Sequence, residues 1–492
     1  MLFQPWCSNN VFPCAAANRV ARNPLTGALL PSSWIGALVP ATGDSANGSV
    51  AVNGHPPQYN APGSLGLLAS PRVGLAWDVF GDGRTAIRGG YGKTYQRYGD
   101  DDILSLSQQA PLQRDVSLNW TTIDNRINTP SLDTPPGAVA LSGDYKPQVV
   151  HSWSIELQRA LPFGIRADVA YVGNRVLNQQ SNVAINDVNP TQIVSPRPDQ
   201  IDPTTGNVLP DNFLRPFVGR AAINVRTWNP DHYQSYHSIQ VSATKRLSRG
   251  FAFTASYTGS RRTTYNNFDW YRTAEDNRKR YQSAAGSRPN DIKFTYNWLI
   301  PGGSRFFRDN LIAEGVLNGW QVSGITTLRG GTHQGFTYAF TGAPANAATL
   351  TGGFGGSRPI IVCDPNLPRG ERTFQRQFRT ECVKPPGPMT DPNDTLYQGT
   401  GLGSGTLDAW TNRGYVNHDL TLFKNFHTGE KGSLQFRIEA YNLFNSDQYQ
   451  NVDTAAVFNF QTGEQTNVNF GRNTSVRNGS ERVIQLGARF TF

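Results

Sequence analysis

The stretch Val149-Val150-His151-Ser152-Trp153-Ser154-Ile155-Glu156-Leu157-Gln158-Arg159 alternates between two chemistries at every step. Val149, His151, Trp153, Ile155 and Leu157 fall on one side of an extended chain; Ser152, Ser154, Glu156 and Gln158 fall on the other. A β-strand places successive side chains on opposite faces, so this pattern predicts a strand with one apolar and one polar face. After Leu161-Pro162-Phe163-Gly164 the pattern resumes, with Ile165, Ala167, Val169 and Tyr171 opposing Arg166 and Asp168. The two runs predict a hairpin.

Working outward, the same unit recurs along the chain. Ile239, Val241, Ala243 and Leu247 oppose Gln240, Ser242, Thr244 and Arg246; beyond Ser248-Arg249-Gly250, Phe251, Phe253, Ala255 and Tyr257 oppose Thr254, Ser256 and Thr258. Val73, Leu75 and Trp77 pair across Phe80-Gly81-Asp82-Gly83 with Thr85, Ile87 and Tyr91. Ile292, Phe294, Tyr296 and Trp298 pair with Trp320, Val322 and Gly324; Leu420 and Leu422 pair with Leu434, Phe436 and Ile438. A final run, Ile484 to Phe492, alternates with Gln485, Gly487, Arg489 and Thr491 and ends on an aromatic residue. Soluble strands average about five or six residues, whereas these approach the ~10 residues that cross a bilayer at a tilt.

Connections sort into two alternating classes. Turns after about residues 80, 161, 248, 300 and 427 read as short; connections over about 93–148, 174–236, 260–289, 330–414 and 446–480 read as long and rich in Gly, Asn, Asp and Pro. Outer-membrane barrels show this asymmetry, with short periplasmic turns and long extracellular loops. The expected fold is therefore all-β: an antiparallel transmembrane β-barrel portion of about eleven strands, with long extracellular loops and a periplasmic C-terminus. Residues 1–70 are expected to be an extracellular segment ahead of the first strand, and 71–492 the barrel. An odd strand count makes the first and last strands run the same way, so they cannot close an antiparallel ring, and lipid does not tolerate open edges. The chain thus reads as a C-terminal portion whose remaining wall lies upstream.

Composition agrees. Of 492 residues only 16% are charged, 11% are aromatic, and Gly (49) and Pro (32) are abundant; a soluble enzyme usually carries nearer a quarter charged residues. The net charge of +9 is spread singly along strand-like segments, with Arg278-Lys279-Arg280 the densest run, which points away from nucleic acid and toward a hydrated barrel interior. No apolar run reaches the length of a membrane-spanning helix, and Met1 is not followed by a secretory leader pattern. Four cysteines form two short-span pairs without a Cys-x-x-Cys motif, so Cys363–Cys382 and Cys7–Cys14 are expected disulfides of an oxidising compartment.

Several motifs resemble, in order, the TonB-dependent receptors of Gram-negative bacteria, specifically their Oar-like group. They are Pro71-Arg72-Val73-Gly74-Leu75-Ala76-Trp77-Asp78, Ile87-Arg88-Gly89-Gly90-Tyr91-Gly92, Trp153-Ser154-Ile155-Glu156-Leu157-Gln158-Arg159, Ala170-Tyr171-Val172-Gly173 and Tyr236-His237-Ser238-Ile239-Gln240-Val241. Asp419-Leu420-Thr421-Leu422-Phe423-Lys424-Asn425-Phe426, Phe436-Arg437-Ile438-Glu439-Ala440-Tyr441-Asn442-Leu443-Phe444-Asn445, Phe470-Gly471-Arg472 and Gln485-Leu486-Gly487-Ala488-Arg489-Phe490 complete the set. The resemblance implies strands 12 to 22 of a 22-stranded barrel, with plug and TonB box upstream. It also implies partners: outer-membrane lipid, the TonB complex through the upstream region, the barrel-assembly machinery reading Phe490 and Phe492, and a transported ligand.

Chemistry-bearing motifs are few. His232 and His237 flank a loop–strand junction with Asp231 but show no third ligand, and packing or solvation explains them better than a metal. Asp100-Asp101-Asp102 has the character of a solvated acidic loop, with Ca²⁺ binding the lesser reading. No phosphate-binding loop or nucleophile elbow occurs, so no enzyme activity, cofactor or metal is expected. The expected lumen-facing residues are Arg88, Glu156, Arg166, Asp168, Gln240, Arg246, Lys293, Gln435, Arg437, Glu439 and Arg489. The leading function is uptake of a large or scarce solute through the outer membrane. A structural or adhesive surface protein, and a secreted soluble β-sandwich, are the alternatives.

Overall fold

In a computed structural model the protein is described over residues 1–43, 66–96, 132–142, 146–189, 196–228, 231–266, 274–303, 311–342, 358–385, 405–428 and 432–492, with a few short pieces between. Its centre is one eleven-stranded sheet in which each strand pairs with the next along the chain. The strands are β1 (Arg72–Asp78), β2 (Thr85–Gln96), β3 (Gln148–Leu161), β4 (Ile165–Leu177), β5 (Tyr233–Ser248), β6 (Phe251–Tyr265), β7 (Asn290–Leu299), β8 (Trp320–Arg329), β9 (Tyr415–Thr428), β10 (Gly432–Tyr441) and β11 (Val483–Thr491). Every pairing is antiparallel. Strands reach 16 residues in β5, far beyond the usual soluble length. Since neighbours alternate in direction, β1 and β11 run the same way, and both are sheet edges.

The apolar faces point away from the protein. Leu75 is 63% exposed, Ile155 57% and Leu486 75%, and Val73, Trp77, Leu157, Val169, Ile239, Ile438 and Phe490 are exposed with them. Register aligns them laterally: Trp77, Ile87, Leu157, Val169, Val241, Tyr257, Ile292, Leu328 and Val416 form one row over nine strands. A soluble sandwich would bury such a face at ~25 cal/mol per Å², so a wall this large and bare is incompatible with water and suits lipid. Glycines in the outward rows are covered by neighbouring rings: a Cβ at Gly173 would lie 2.5 Å from the Trp153 ring, and one at Gly324 2.5 Å from Tyr296.

Turn chemistry sets the register at the narrow end. Arg249 (φ 51°) and Gly250 (φ 77°) join β5 to β6, the double positive-φ geometry that matches strand twist. Only Gly fits the second position, because a Cβ there would meet the Leu299 carbonyl oxygen at 2.7 Å. One expected turn differs. The connection 300–319 is not short; it contains a helix, Leu311–Leu317. The helix answers a local need. Lys424 sits in an outward apolar row, buried, and donates to the carbonyls of Val316 (3.1 Å) and Asn318 at the helix end. Its ammonium also lies 5.1 Å from the Trp320 ring centroid. Helix C-terminal carbonyls neutralise a cation that lipid would reject.

The described parts of several long connections are folded. Gln4–Cys7, Arg19–Arg22 and Leu29–Pro31 make a small sheet over Phe3, Ala21, Ala37 and Val39. This N-terminal piece leans on the β4–β5 connection through Arg19–Asp202 (2.6 Å) and Asn212–Gly36 (3.1 Å). The β8–β9 and β10–β11 connections share a second core of Phe336, Tyr338, Phe378, Trp410, Phe458 and Phe470, joined by parallel pairing of Thr337–Thr341 with Ala455–Asn459. Disulfides join Cys7 to Cys14 and Cys363 to Cys382.

Candidate functional site

Opposite the apolar wall the sheet presents a continuous polar surface. Residues paired across strands share a face, and side chains alternate along each strand. One row runs Arg88, Glu156, Ala170, Gln240, Thr258, Asp291, Arg329, Tyr415. The next runs Ala86, Gln158, Asp168, Ser242, Ser256, Lys293, Thr327, Asn417. Arg166 lies opposite Ala160 and Thr244 on the same face, and Arg246 lies within the β5 bulge between Lys245 and Ser248. Gln435, Arg437 and Glu439 face Asn425, Phe423 and Thr421, and Gln435 faces Arg489. Register therefore brings ten of the eleven sequence-selected polar residues, all but Arg246, onto one face. Ile325 and Phe423 interrupt its polarity.

Neighbouring groups on this face bind one another. Asp168 accepts from Gln158 Nε2 (2.5 Å) and Ser242 Oγ (3.0 Å) and pairs with Arg166 at 3.3 Å. Arg437 meets Glu439 at 3.5 Å, and Gln435 donates to Asn425 at 2.8 Å. These networks tie neighbouring groups of the face to one another.

At the long-connection end of β8–β11 the polar face deepens into a cavity of about 330 Å³, lined by Thr327, Tyr415, Asn417, Asp419, Tyr441, Asn442, Gln448, Arg477, Gly479 and Val483. Arg329 forms an ion pair with Asp291 (2.9 Å) and donates to the Tyr415 hydroxyl at 3.5 Å. The Arg477 guanidinium stacks 4.5 Å from the Tyr415 ring centroid. Asn417 donates to Asp419 and accepts from Gln448, both at 2.9 Å. Asn442 anchors the rim, its backbone N–H donating to Asp419 at 2.9 Å and its amide to the Ser480 carbonyl at 2.6 Å. Preset donors, acceptors and a stacked cation–aromatic pair suit capture of a polar solute. None of these residues was singled out as lumen-facing from sequence alone. The signal was present: Tyr415, Asn417 and Asp419 alternate with Val416, His418 and Leu420.

The histidines separate. His232 is fully buried, 2.7 Å from Ser181 Oγ through Nδ1 and edge-on to Tyr265. Burial pushes its pKa down to about 4, with Asp231 opposing only in part. His237 instead stands in an outward row and shares a 2.7 Å hydrogen bond with the Tyr171 hydroxyl. Among the described residues no group of three His, Cys, Asp or Glu side chains has metal-binding geometry. Asp100, Asp101 and Asp102 lie outside the described residues.

A long up-and-down sheet with one bare apolar face and one hydrogen-bonded polar face is the wall of a membrane β-barrel. The chain belongs to the outer membrane beta barrel domain family, whose family model matches residues 34–485, and this places it in the outer membrane. Comparison with curated protein sequences finds no significant match. Similar solved structures include the ferric-catecholate import receptor Fiu from Escherichia coli K12, at 12% identity and TM-score 0.36, covering 86% of this chain and 35% of that chain. The ferric preacinetobactin receptor BauA from Acinetobacter baumannii has 10% identity and TM-score 0.37, covering 86% and 36%. The ferripyoverdine receptor of Pseudomonas aeruginosa has 10% identity and TM-score 0.36, covering 86% and 32%. This chain spans about a third of the length of each.

Proposed function

We propose that this chain is part of the wall of a TonB-dependent uptake receptor, with the polar face lining the lumen and the long connections facing outward from the cell. The observation that carries this reading is the register, which gathers Arg88, Glu156, Arg166, Asp168, Gln240, Lys293, Gln435, Arg437, Glu439 and Arg489 on one face opposite a bare apolar one. Coupling to TonB is supported by the ordered Oar-like motifs. The two edges, β1 and β11, run the same way, so closure needs further strands that begin and end in the opposite sense. Phe490 and Phe492, stacked at 6.1 Å on the last strand, serve as the signal read by the barrel-assembly machinery. The solute enters past the Tyr415–Arg477 cavity and then along the polar ladder.

Two measurements on the full outer-membrane protein test the reading. Gln240→Cys, on the polar face, should react with a small charged maleimide, while Ile239→Cys should react with a lipid-soluble one; equal reactivity to both reagents refutes the assignment of faces. Solute-dependent growth should disappear when the TonB complex of the host is deleted. Growth that persists, with loss of surface attachment instead, would favour an adhesive role for the folded outer lobes.

A further inference from the structure

We propose that the outward wall also carries a binding site for a phosphorylated lipid of the outer leaflet, formed by Arg369, Arg372 and Arg413 above the apolar row Ile292, Leu328 and Val416. These six residues line a second cavity of about 330 Å³ on the margin where β7, β8 and β9 end in their long connections. Arg329 lines it as well, paired with Asp291 at 2.9 Å, and among the described residues no carboxylate lines it. The positive charge is held in place: Arg372 donates to the carbonyls of Leu367 (2.9 Å) and Thr411 (2.8 Å), and Arg413 stacks on Tyr449 at 5.4 Å. Burial, then the like charge of Arg413, lowers the pKa of Arg372. Among the described residues no carboxylate pairs with Arg372 or Arg413, and two cations held this close favour an anion between them.

The floor of the cavity names the kind of anion. Ile292, Leu328 and Val416 belong to the nine-strand outward row, so the cavity reaches the lipid-facing wall, while Arg329 and Tyr415 in its lining stand on the polar face. A free phosphate would use the arginines and leave that floor wet, whereas a phosphorylated lipid uses both, its headgroup above and its acyl chain below. The same order of chemistry repeats along the margin. Along β2 and β4 the outward positions pass from aliphatic, at Ile87 and Val169, to aromatic, at Tyr91 and Tyr171, and then to basic, at Lys93 and Arg175. Aromatic then basic is the order in which a wall crosses from hydrocarbon into anionic headgroups. The inference rests on the proposed orientation, with the long connections outside the cell.

The test uses the full outer-membrane protein in mild detergent, with native mass spectrometry to count bound molecules. Diphosphoryl lipid A should bind with one molecule retained. Arg369→Gln with Arg413→Gln should weaken retention by about tenfold or more, as loss of charge-assisted contacts implies. Arg376→Gln, on the same connection but paired with Glu381, should not weaken it. Lipid A stripped of phosphate should bind weakly, and millimolar inorganic phosphate should not displace the diphosphoryl form. Unchanged retention in the double variant, or displacement by inorganic phosphate, overturns the proposal. If the double variant loses its heat-modifiable migration, Arg369→Gln alone, at an exposed side chain, decides by the same criterion. Lipid retention together with TonB-independent uptake would count against the transport reading and leave this site standing.

Discussion

Val169→Arg and Ala170→Arg are adjacent substitutions with opposite expected outcomes. Val169 is an outward residue, 47% exposed, flanked in register by Leu157 and Val241. It lies four residues into β4, which begins at Ile165. At ~3.3 Å per residue and a tilt of ~40°, that is about 10 Å above the turn, near the middle of a ~25 Å apolar band. An arginine there costs roughly 2–4 kcal/mol, which corresponds to a ~30- to ~1,000-fold shift in the folding equilibrium. Ala170 is on the polar face between Glu156 and Gln240, so the same side chain there finds a carboxylate and water and costs within about 1 kcal/mol. Urea unfolding of the full protein in phospholipid vesicles, followed by heat-modifiable migration, measures both. Equal destabilisation by the two variants, or greater loss from Ala170→Arg, would refute the lipid-facing reading of the apolar wall.

Three further outcomes follow from particular contacts. Reducing Cys363–Cys382, which closes a separation of 19 residues, should destabilise the Phe378–Trp410 lobe by about 3 kcal/mol, read as faster proteolysis of the 358–385 segment with the sheet intact. Gly250→Ala should cost about 1–3 kcal/mol, because its φ is 77° and its Cβ would meet Leu299; unfolding in vesicles reports it. His232 is held neutral with a pKa of about 4, below the unfolded value of ~6.5. Its folded pKa is depressed, so its contribution is present above pH ~6.5 and is lost as pH falls toward 4, by up to about 3 kcal/mol. Hydrogen exchange around Ser181 and Tyr265 should therefore rise over that window in the wild type and lose its pH dependence in His232→Asn.

How much of this was legible in the sequence depends on the length scale of the cause. All eleven strands were readable because alternation is local and its period is fixed by backbone geometry: the apolar residues from Val149 to Leu157 project to one side wherever the strand is placed. The open edges followed from strand parity. The 300–319 connection was misjudged as a short turn because its helix answers Lys424, more than a hundred positions away, whose outward placement becomes a problem only once β8 and β9 pair.

The two cavities were hidden for the same kind of reason. Tyr415 and Arg477 meet because the β8–β9 and β10–β11 connections fold on a shared aromatic core, and Arg372 stands beside Arg413 because the Thr411 carbonyl holds it there. Sequence alone determined which face of each strand is apolar and that the faces form a membrane wall, since both come from a period-two pattern read one strand at a time. Tertiary structure alone decided which polar residues cluster and where positive charge gathers at the wall's margin, because those depend on lateral register and loop packing between residues far apart in the chain.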